Sequence, residues 1–465
     1  MKKKIKTLAN IKFIPNIHKF YIVIALFFGI IYSVFLPILN GPDSQIHFLT
    51  SAAIFNKVPD LSHYGIYSIT SSMTPEKSFY QSGTAFKEFF IQQVKIISAS
   101  KIPIGPGQNS IVSHGLDFSF FSHIVPAFGL LLGYYIYPSL GMMVIWGRIF
   151  SMLVYSTIIY VLLKKVKAGK LVLFTISLSP LVLSQISSFS YDASTFTVIF
   201  LFLCIVINFL YDKQITTKKV LFLFLGSISV ILFAKENYVV LLTLVPISFV
   251  YVYFASRRVS RRKKRTAATK RNILRSRLTF SIGLLSLLLL ASVSINYGGI
   301  LSLVGRFVDV FTIYNPQNLG VLSYFTQTST IDNALPNWLA SIWFGLILFI
   351  TFFGNEKYLS DNKLGKFTSF FALFLFLLNY IIVYFIFLID TVPQVKSNLL
   401  SVNLVPGVQG RYFTPLFLLL SIYSAGSSLD FKIKNQNWLY IFTIVVIIFS
   451  AGLFFINSYK VLLYT

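Results

Sequence analysis

Stretches of about 20 mostly apolar residues recur from one end of this chain to the other, and nothing else in the sequence limits its fold as strongly. In a bilayer every backbone polar group must be satisfied internally, so such stretches are helices. The strand-length alternation of a membrane barrel is absent. Composition agrees: of 465 residues 55% are hydrophobic and only 12% charged, with a mean hydropathy of +0.75. A soluble domain carries about twice that charged fraction. Eleven spans are expected, near 20–39, 139–163, 171–188, 192–211, 219–234, 238–255, 278–296, 336–353, 367–389, 413–428 and 438–457. A further apolar piece, 118–137, is interrupted by Pro126, Gly129 and Gly133 and is expected to be interfacial or re-entrant. The N-terminal Met1-Lys2-Lys3-Lys4-Ile5-Lys6 followed by an apolar run resembles a signal peptide. The run is too long for one, and Pro37-Ile38-Leu39-Asn40-Gly41-Pro42 is no small-residue cleavage site, so a retained first helix is expected.

The net charge of +26 would suggest nucleic acid in a soluble protein. Here the charge sits in short loops between apolar runs, where it sets topology. With a cytoplasmic N-terminus, 29 of the 40 Lys and Arg fall inside, and 10 of the 14 acidic residues fall outside. The segment 257–277 carries eleven Lys and Arg with no acid and reads as a cytoplasmic loop, with anionic lipid as a second partner. The long external segments are then 40–117, 296–336 and 390–413. The first is too long for a mere connector. The single cysteine, Cys204, lies inside an apolar run and reads as packing. The expectation is one polytopic membrane domain, 1–465, with an elaborated outer face and no separate soluble domain.

Five constellations could carry chemistry. Directly after the first span, Asp43 can cap a short helix running to about Phe55, and His47 lies four residues on, on the same face. A carboxylate beside an imidazole can take a proton from a hydroxyl or help hold a metal; the plainer reading is a cap with an interfacial histidine. Asp192 follows Ser187-Ser188-Phe189-Ser190-Tyr191 at the start of a span, where a negative charge suits the helix dipole. Lys235-Glu236-Asn237-Tyr238 reads as a tight outer turn, either a neutralised loop or a phosphate contact through Lys235. Arg148 lies inside a span, where an ionised group costs a few kcal/mol and is either functional or a snorkelling structural residue. The most specific signal is Gly407-Val408-Gln409-Gly410-Arg411-Tyr412-Phe413 at the outer start of a span. Glycines admit a close backbone approach, helix N-termini attract anions, and a guanidinium binds phosphate bidentately.

These segments carry a family resemblance. Gly41-Pro42-Asp43-Ser44-Gln45-Ile46-His47-Phe48 resembles the Pro-Pro-Asp-Glu-x-x-His-Phe motif of the DUF2142 family of bacterial multispanning membrane proteins. Gly147-Arg148-Ile149-Phe150-Ser151 resembles its Ala-Arg-Leu-x-Ser element, and Ser188-Phe189-Ser190-Tyr191-Asp192-Ala193 its Ser-x-Ser-Pro-Asp-Ala turn. Gly407 to Phe413 with Pro415 is similar to its C-terminal Gly-Val-Gln-Gly-Arg-Tyr-Phe-x-Pro signature. The four matches occur in order over roughly 20–430. The resemblance implies an all-α, GT-C-like glycosyltransferase bundle with a large first extracytoplasmic loop. It implies a polyprenyl-phosphate-linked sugar as donor and Asp43 at the acceptor or a metal. Ser44 stands where the family usually has a second acid, which argues against a two-carboxylate metal site there. It favours a metal-independent mechanism or a ligand from elsewhere, such as Asp192 or Glu236.

The expected function is therefore transfer of a sugar from that donor to a cell-surface glycan, on the extracytoplasmic side of the cell membrane. Asp43 is the expected base, with His47 orienting it or the acceptor. Arg411, with Gln409, Tyr412, Lys235, Glu236, Asp192 and Arg148, is expected around the substrate, where charge on the departing phosphate develops. A divalent metal stays open, and no nucleic acid is expected. The alternative is a transporter or flippase of lipid-linked glycans, which would show repeats and polar, broken helices at the midplane. A glycan polymerase shares the reaction class of the first reading and differs in its donor.

Overall fold

The computed structural model describes residues 13–36, 44–59, 94–96, 99–100, 118–263, 335–354, 357–359, 362–396, 409–427 and 436–464. The expected span 278–296, Asp43, most of the segments 40–117, 257–277 and 296–336, and half of 390–413 lie outside them. Every other expected span coincides with helix. The elements are α1 (Phe13–Phe35), α2 (Ser44–Ile54), β1 (Val58–Pro59), β2 (Ala99–Ser100), α3 (Phe118–Ile136) and α4 (Leu140–Lys165). They continue with α5 (Lys170–Ser177), α6 (Pro180–Ile186), α7 (Asp192–Asp212), α8 (Thr217–Phe233), a 3-10 segment Glu236–Thr243 and α9 (Leu244–Lys263). After α10 (Asn337–Phe353) and α11 (Lys363–Lys396) come 3-10 turns Gly410–Tyr412 and Thr414–Leu418, then α12 (Leu419–Gly426) and α13 (Gln436–Tyr464). Among the described residues six helices are long and apolar enough to cross a membrane: Asn16–Phe35, Leu140–Lys165, Asp192–Asp212, Glu236–Arg257, Lys363–Phe387 and Asn437–Asn457.

The centre of the bundle is α7. Of its best apolar window 78% is buried, against 29–50% for the other five, so it is the helix enclosed by the rest. The peripheral helices instead expose large apolar side chains, among them Phe222 and Phe224 on α8, Phe370 and Phe374 on α11, and Phe442 and Phe449 on α13. Helices apolar on all faces are those of a membrane bundle, where the outward face meets lipid.

The expected span 171–188 is not one helix. It breaks at Leu178–Ser179 into α5 and α6. Pro180 cannot donate to the preceding turn but suits a first helical position. The Ser179 hydroxyl accepts from the Val182 amide at 3.3 Å and restarts the ladder. The expected span 413–428 likewise opens as 3-10 turns, with Pro415 near the start, before α12.

Helices α3 and α4 form an antiparallel hairpin about Tyr137–Ser139. Gly129 and Gly133, which interrupt the apolar pattern of 118–137, do not break the helix; they let it close on α4. A Cβ at Gly129 would lie 2.4 Å from the Trp146 carbonyl oxygen, and one at Gly133 2.4 Å from that of Met142. Small residues four apart permit such backbone approach in membranes. The far end of α4 reaches the Asp212 end of α7: Asn208 Nδ2 donates to Lys165 O at 3.3 Å, and Lys167 pairs with Asp212. The hairpin tip therefore points the other way, with Gly133 and Gly129 of α3 set against the first half of α4. Tyr137 donates from its hydroxyl to Val94 O at 2.5 Å, and Ile96 bridges to Ser139. Together with the two-residue ribbon pairing Val58 with Ser100, these bonds seat parts of the first long segment on the hairpin.

The two ends of α7 are chemically distinct. At its C-terminus Asp212 pairs with Lys167 and, at 2.8 Å, with Lys219. At its N-terminus Ser194 Oγ lies 2.7 Å from Ser122 Oγ of α3.

The glycine contacts give a direct test. Gly129→Val or Gly133→Val forces α3 off α4, and overpacking of this kind costs about 1–3 kcal/mol. The melting temperature in detergent should fall for either, whereas Gly345→Ala, whose Cβ would meet nothing within 4 Å, should leave it unchanged.

Candidate functional site

The N-terminus of α7 is built by a serine-rich turn. Ser190 N donates to Ser188 Oγ, and Asp192 N donates to Ser190 Oγ, each at 3.1 Å. Ser190 thus satisfies the first amide of the helix, and the Asp192 carboxylate is released from the capping role suggested by its position. It lies instead between two cations. Lys235 Nζ is 2.6 Å from Oδ1, and Arg411 Nη1 is 3.0 Å from Oδ2. Asp192 and Arg411 are only 1% and 2% exposed, so the carboxylate and the guanidinium are shut off from solvent, while Lys235 stands at the edge of the cluster.

Each cation arrives by its own local device. Helix α8 ends at Ala234, Lys235 adopts an extended conformation (φ −60°, ψ 150°), and a 3-10 helix follows in place of the expected tight turn. Arg411 sits in a 3-10 turn closed by Tyr412 N donating to Gln409 O at 3.1 Å and Phe413 N to Gly410 O at 3.0 Å. The two segments are tied together, since Tyr238 Oη donates to Tyr412 O at 2.7 Å. Aromatic faces complete the cage: Lys235 Nζ lies 4.5 Å from the ring centre of Tyr191 and 4.0 Å from that of Tyr412. Cation–π contacts of this kind help hold an ammonium out of water. Burial works against the charged guanidinium of Arg411, but the Asp192 carboxylate, together with Tyr412 and Tyr191, outweighs it and raises its pKa.

A histidine pair lies behind Tyr191. His47 Nδ1 is 2.9 Å from His123 Nε2, and the His47 ring meets Tyr191 edge-on at 4.7 Å. Burial pushes the His47 pKa down to about 3, helped by His123, Arg411 and Lys235 and opposed by Asp192. His47 is neutral at physiological pH. Among the described residues no group of three or more His, Cys, Asp or Glu converges to hold a metal.

The cluster opens on one side into a cleft of about 200 Å³. Tyr191, Lys235, Glu236, Asn237 and Tyr412 form its polar and aromatic wall. Val383, Ile386 and Phe387 of α11 form the other, which is wholly apolar. Asn237 is anchored to α11: its Nδ2 donates to Asn379 Oδ1 at 2.9 Å, and Asn379 Nδ2 donates to Asn237 O at 3.0 Å.

The sequence-derived candidates divide as follows. His47, Asp192, Lys235, Arg411 and Tyr412 converge, and Glu236 lines the cleft from an exposed position. Gln409 opens the Arg411 turn and is partly buried. Arg411 does not line the cleft and is linked to it through Asp192 and Tyr412. Arg148 is placed elsewhere: it is buried, not snorkelling, and donates from Nη1 to Leu36 O at 2.8 Å, just beyond the end of α1. Asp43 lies outside the described residues and directly precedes the first residue of α2. Besides the apolar Val383, Ile386 and Phe387, residues that line or support the site without being singled out from sequence include Tyr191, His123 and Asn379. The last two are polar side chains inside apolar runs, the signal by which intramembrane function is recognised.

A multispanning helical bundle with a buried ion cluster at one end of its central helix is the class these features define. Residues 26–420 match the DUF2142 family of predicted membrane proteins, and the chain belongs to that family. No curated protein and no solved structure matches it.

Two outcomes follow from the cluster. Asp192→Asn removes the carboxylate between two buried cations, and breaking a buried pair costs about 3–5 kcal/mol. Thermal unfolding of the purified protein should reveal a large loss, partly restored when Arg411→Met is added. The second concerns His47, whose pKa falls from an ordinary 6.5 to about 3 on folding. The unfolded chain therefore binds the proton more readily. The stability from this group is complete above about pH 6.5 and is lost as pH falls toward 3, by up to about 1.4 kcal/mol per pH unit. Unfolding measured across pH 4–7 should show that slope, and His47→Gln should reduce it.

Proposed function

We propose that the protein is a membrane glycosyltransferase that moves a sugar from a polyprenyl-phosphate donor to a cell-surface glycan on the extracytoplasmic side. The observation that carries this reading is the two-sided cleft. One wall offers a caged ammonium, two tyrosine rings, an amide and a carboxylate; the other offers only Val383, Ile386 and Phe387. A phosphate and a sugar suit the first wall, and an isoprenoid chain suits the second. The cleft lies at the end of α7 opposite the Lys167–Asp212–Lys219 cluster, and the charge bias of the sequence assigns that opposite end to the cytoplasm.

In this reading the acceptor hydroxyl attacks the anomeric carbon while the bond to the phosphate oxygen breaks. Its proton passes to Asp43, which precedes α2, the helix that carries His47. Lys235 contacts the departing phosphate, where negative charge grows. Arg411 acts through Asp192: it shares the carboxylate and so tunes how firmly Lys235 is held. Arg148 fixes the end of α1 ahead of Asp43. A divalent ion, where one takes part, would meet the Glu236 carboxylate in the cleft, since both oxygens of Asp192 are already held by Lys235 and Arg411.

One feature favours transport of a lipid-linked glycan instead, namely the discontinuous helix α5–α6, since broken helices mark transporter binding sites. The two readings separate in one experiment. A deletion strain is complemented with wild type, Asp43→Asn or Lys235→Ala, and membranes are assayed for sugar transfer from radiolabelled polyprenyl-phosphate donors. Wild type restores transfer, Asp43→Asn abolishes it, and Lys235→Ala lowers it about 100- to 1,000-fold, as expected for loss of a group that stabilises developing charge. Normal surface glycan in both variants, or translocation of label without transfer, refutes the transferase.

A further inference from the structure

The buried amide pair Asn237–Asn379 is not accounted for by phosphate or chain binding. Asn379 is fully buried in the middle of α11, a helix otherwise rich in Phe, Leu and Ile. A polar side chain at such a depth is costly and persists where it is paired or functional. Its two hydrogen bonds run to one residue, Asn237: Oδ1 accepts from the Asn237 amide, and Nδ2 donates to the Asn237 carbonyl. An asparagine side chain ordinarily turns freely about its terminal bond; here the pairing fixes which way the Asn237 amide faces. Asn237 is also one of the cleft residues, lying between the exposed Glu236 and Tyr238, whose hydroxyl holds Tyr412. Locked amide, carboxylate and tyrosine faces side by side are groups that read a ring of hydroxyls. With its Nδ2 held by Asn379, the amide supplies a directional acceptor, the carboxylate a second one, and an aromatic face covers the C–H surface of a sugar.

From this we infer that Asn237, oriented by Asn379, reads a hydroxyl of the donor sugar and so sets which sugar is taken. Asn237 is the contacting residue, and Asn379 is a positioning residue acting through it. The inference rests on the transferase reading and deepens it by separating a sugar subsite (Glu236, Asn237) from a phosphate subsite (Lys235) and a chain subsite (Val383, Ile386, Phe387). A site built to hydrogen-bond a hydroxyl rejects ligands lacking it more sharply than an apolar pocket can, because its buried polar groups are left unpaired.

The test compares two probes on full-length protein in detergent: a short-chain isoprenyl phosphate without sugar, and a panel of the same isoprenyl phosphate carrying different hexoses. Variants are Asn379→Leu, Asn379→Asp and Asn237→Ser. In wild type one glycosylated probe binds best. In Asn379→Leu and Asn237→Ser its affinity falls about tenfold, the size of one lost hydrogen bond, while affinity for the bare phosphate stays within twofold. Asn379→Asp keeps the acceptor toward Asn237 Nδ2 and loses the donor to Asn237 O, and it falls between wild type and Leu. Retained binding of the bare probe also shows that each variant has folded. Equal loss for both probes would mean a structural role and overturn the assignment, as would no loss for either. Should a variant fail to fold, the wild-type panel decides alone: equal affinity for every hexose overturns the sugar subsite. Failure of wild type to bind even the bare phosphate would instead sink the transferase reading itself.

Discussion

One carboxylate holds the functional end of this protein together. Asp192 faces Lys235 and Arg411 within 3.0 Å, and these residues come from three segments far apart in sequence. Two cations and one anion leave a positive charge in a largely buried environment. Such a cluster is stable only if its members are further satisfied, and here the rings of Tyr191 and Tyr412 lie against the ammonium. The ties that align the backbone segments serve the same end. Ser190 frees the carboxylate by taking over the cap, and Tyr238 fastens the Lys235 segment to the Arg411 turn. Remove the carboxylate and the segments lose their reason to meet.

The division of labour between the two cations follows from burial. Lys235 lines the cleft; Arg411 does not. A guanidinium suits a buried position because it stays charged and presents fixed donors, whereas an ammonium on a flexible stem can follow a ligand. The arginine of the most specific sequence signature therefore lies behind the cleft, and the lysine of a plain-looking turn is the cation that lines it.

Much of this was legible in the chain itself. Apolar run length marked nearly all the helices, and the placement of charge grouped Asp192, Lys235 and Arg411 on one face. What escaped has physical causes. Gly129 and Gly133 interrupt a helical pattern in the same way whether they break the helix or pack it, and only the carbonyls of Trp146 and Met142 across the hairpin distinguish the two. Ser179-Pro180 was hidden because a capped restart needs no polar loop. His123 and Asn379 sit in runs whose overall apolarity outweighs a single polar residue, and their meaning appears only with their partners, His47 and Asn237. Arg148 was recognised as uncomfortable, but its acceptor, the Leu36 carbonyl, belongs to a different span.

Helix α7 carries an aspartate at each end, Asp192 and Asp212, 21 residues in all. At 1.5 Å per residue that is about 30 Å, the depth of the oily layer of a bilayer. The helix thus works as a gauge. By that length, Asp212 and its lysines match one water boundary and Asp192 and its cleft the other, the level at which the phosphate of the proposed chain-anchored donor would float. Such a ligand would need neither to be lifted out of the leaflet nor drawn down into it; sideways diffusion alone would deliver its charged head to Lys235.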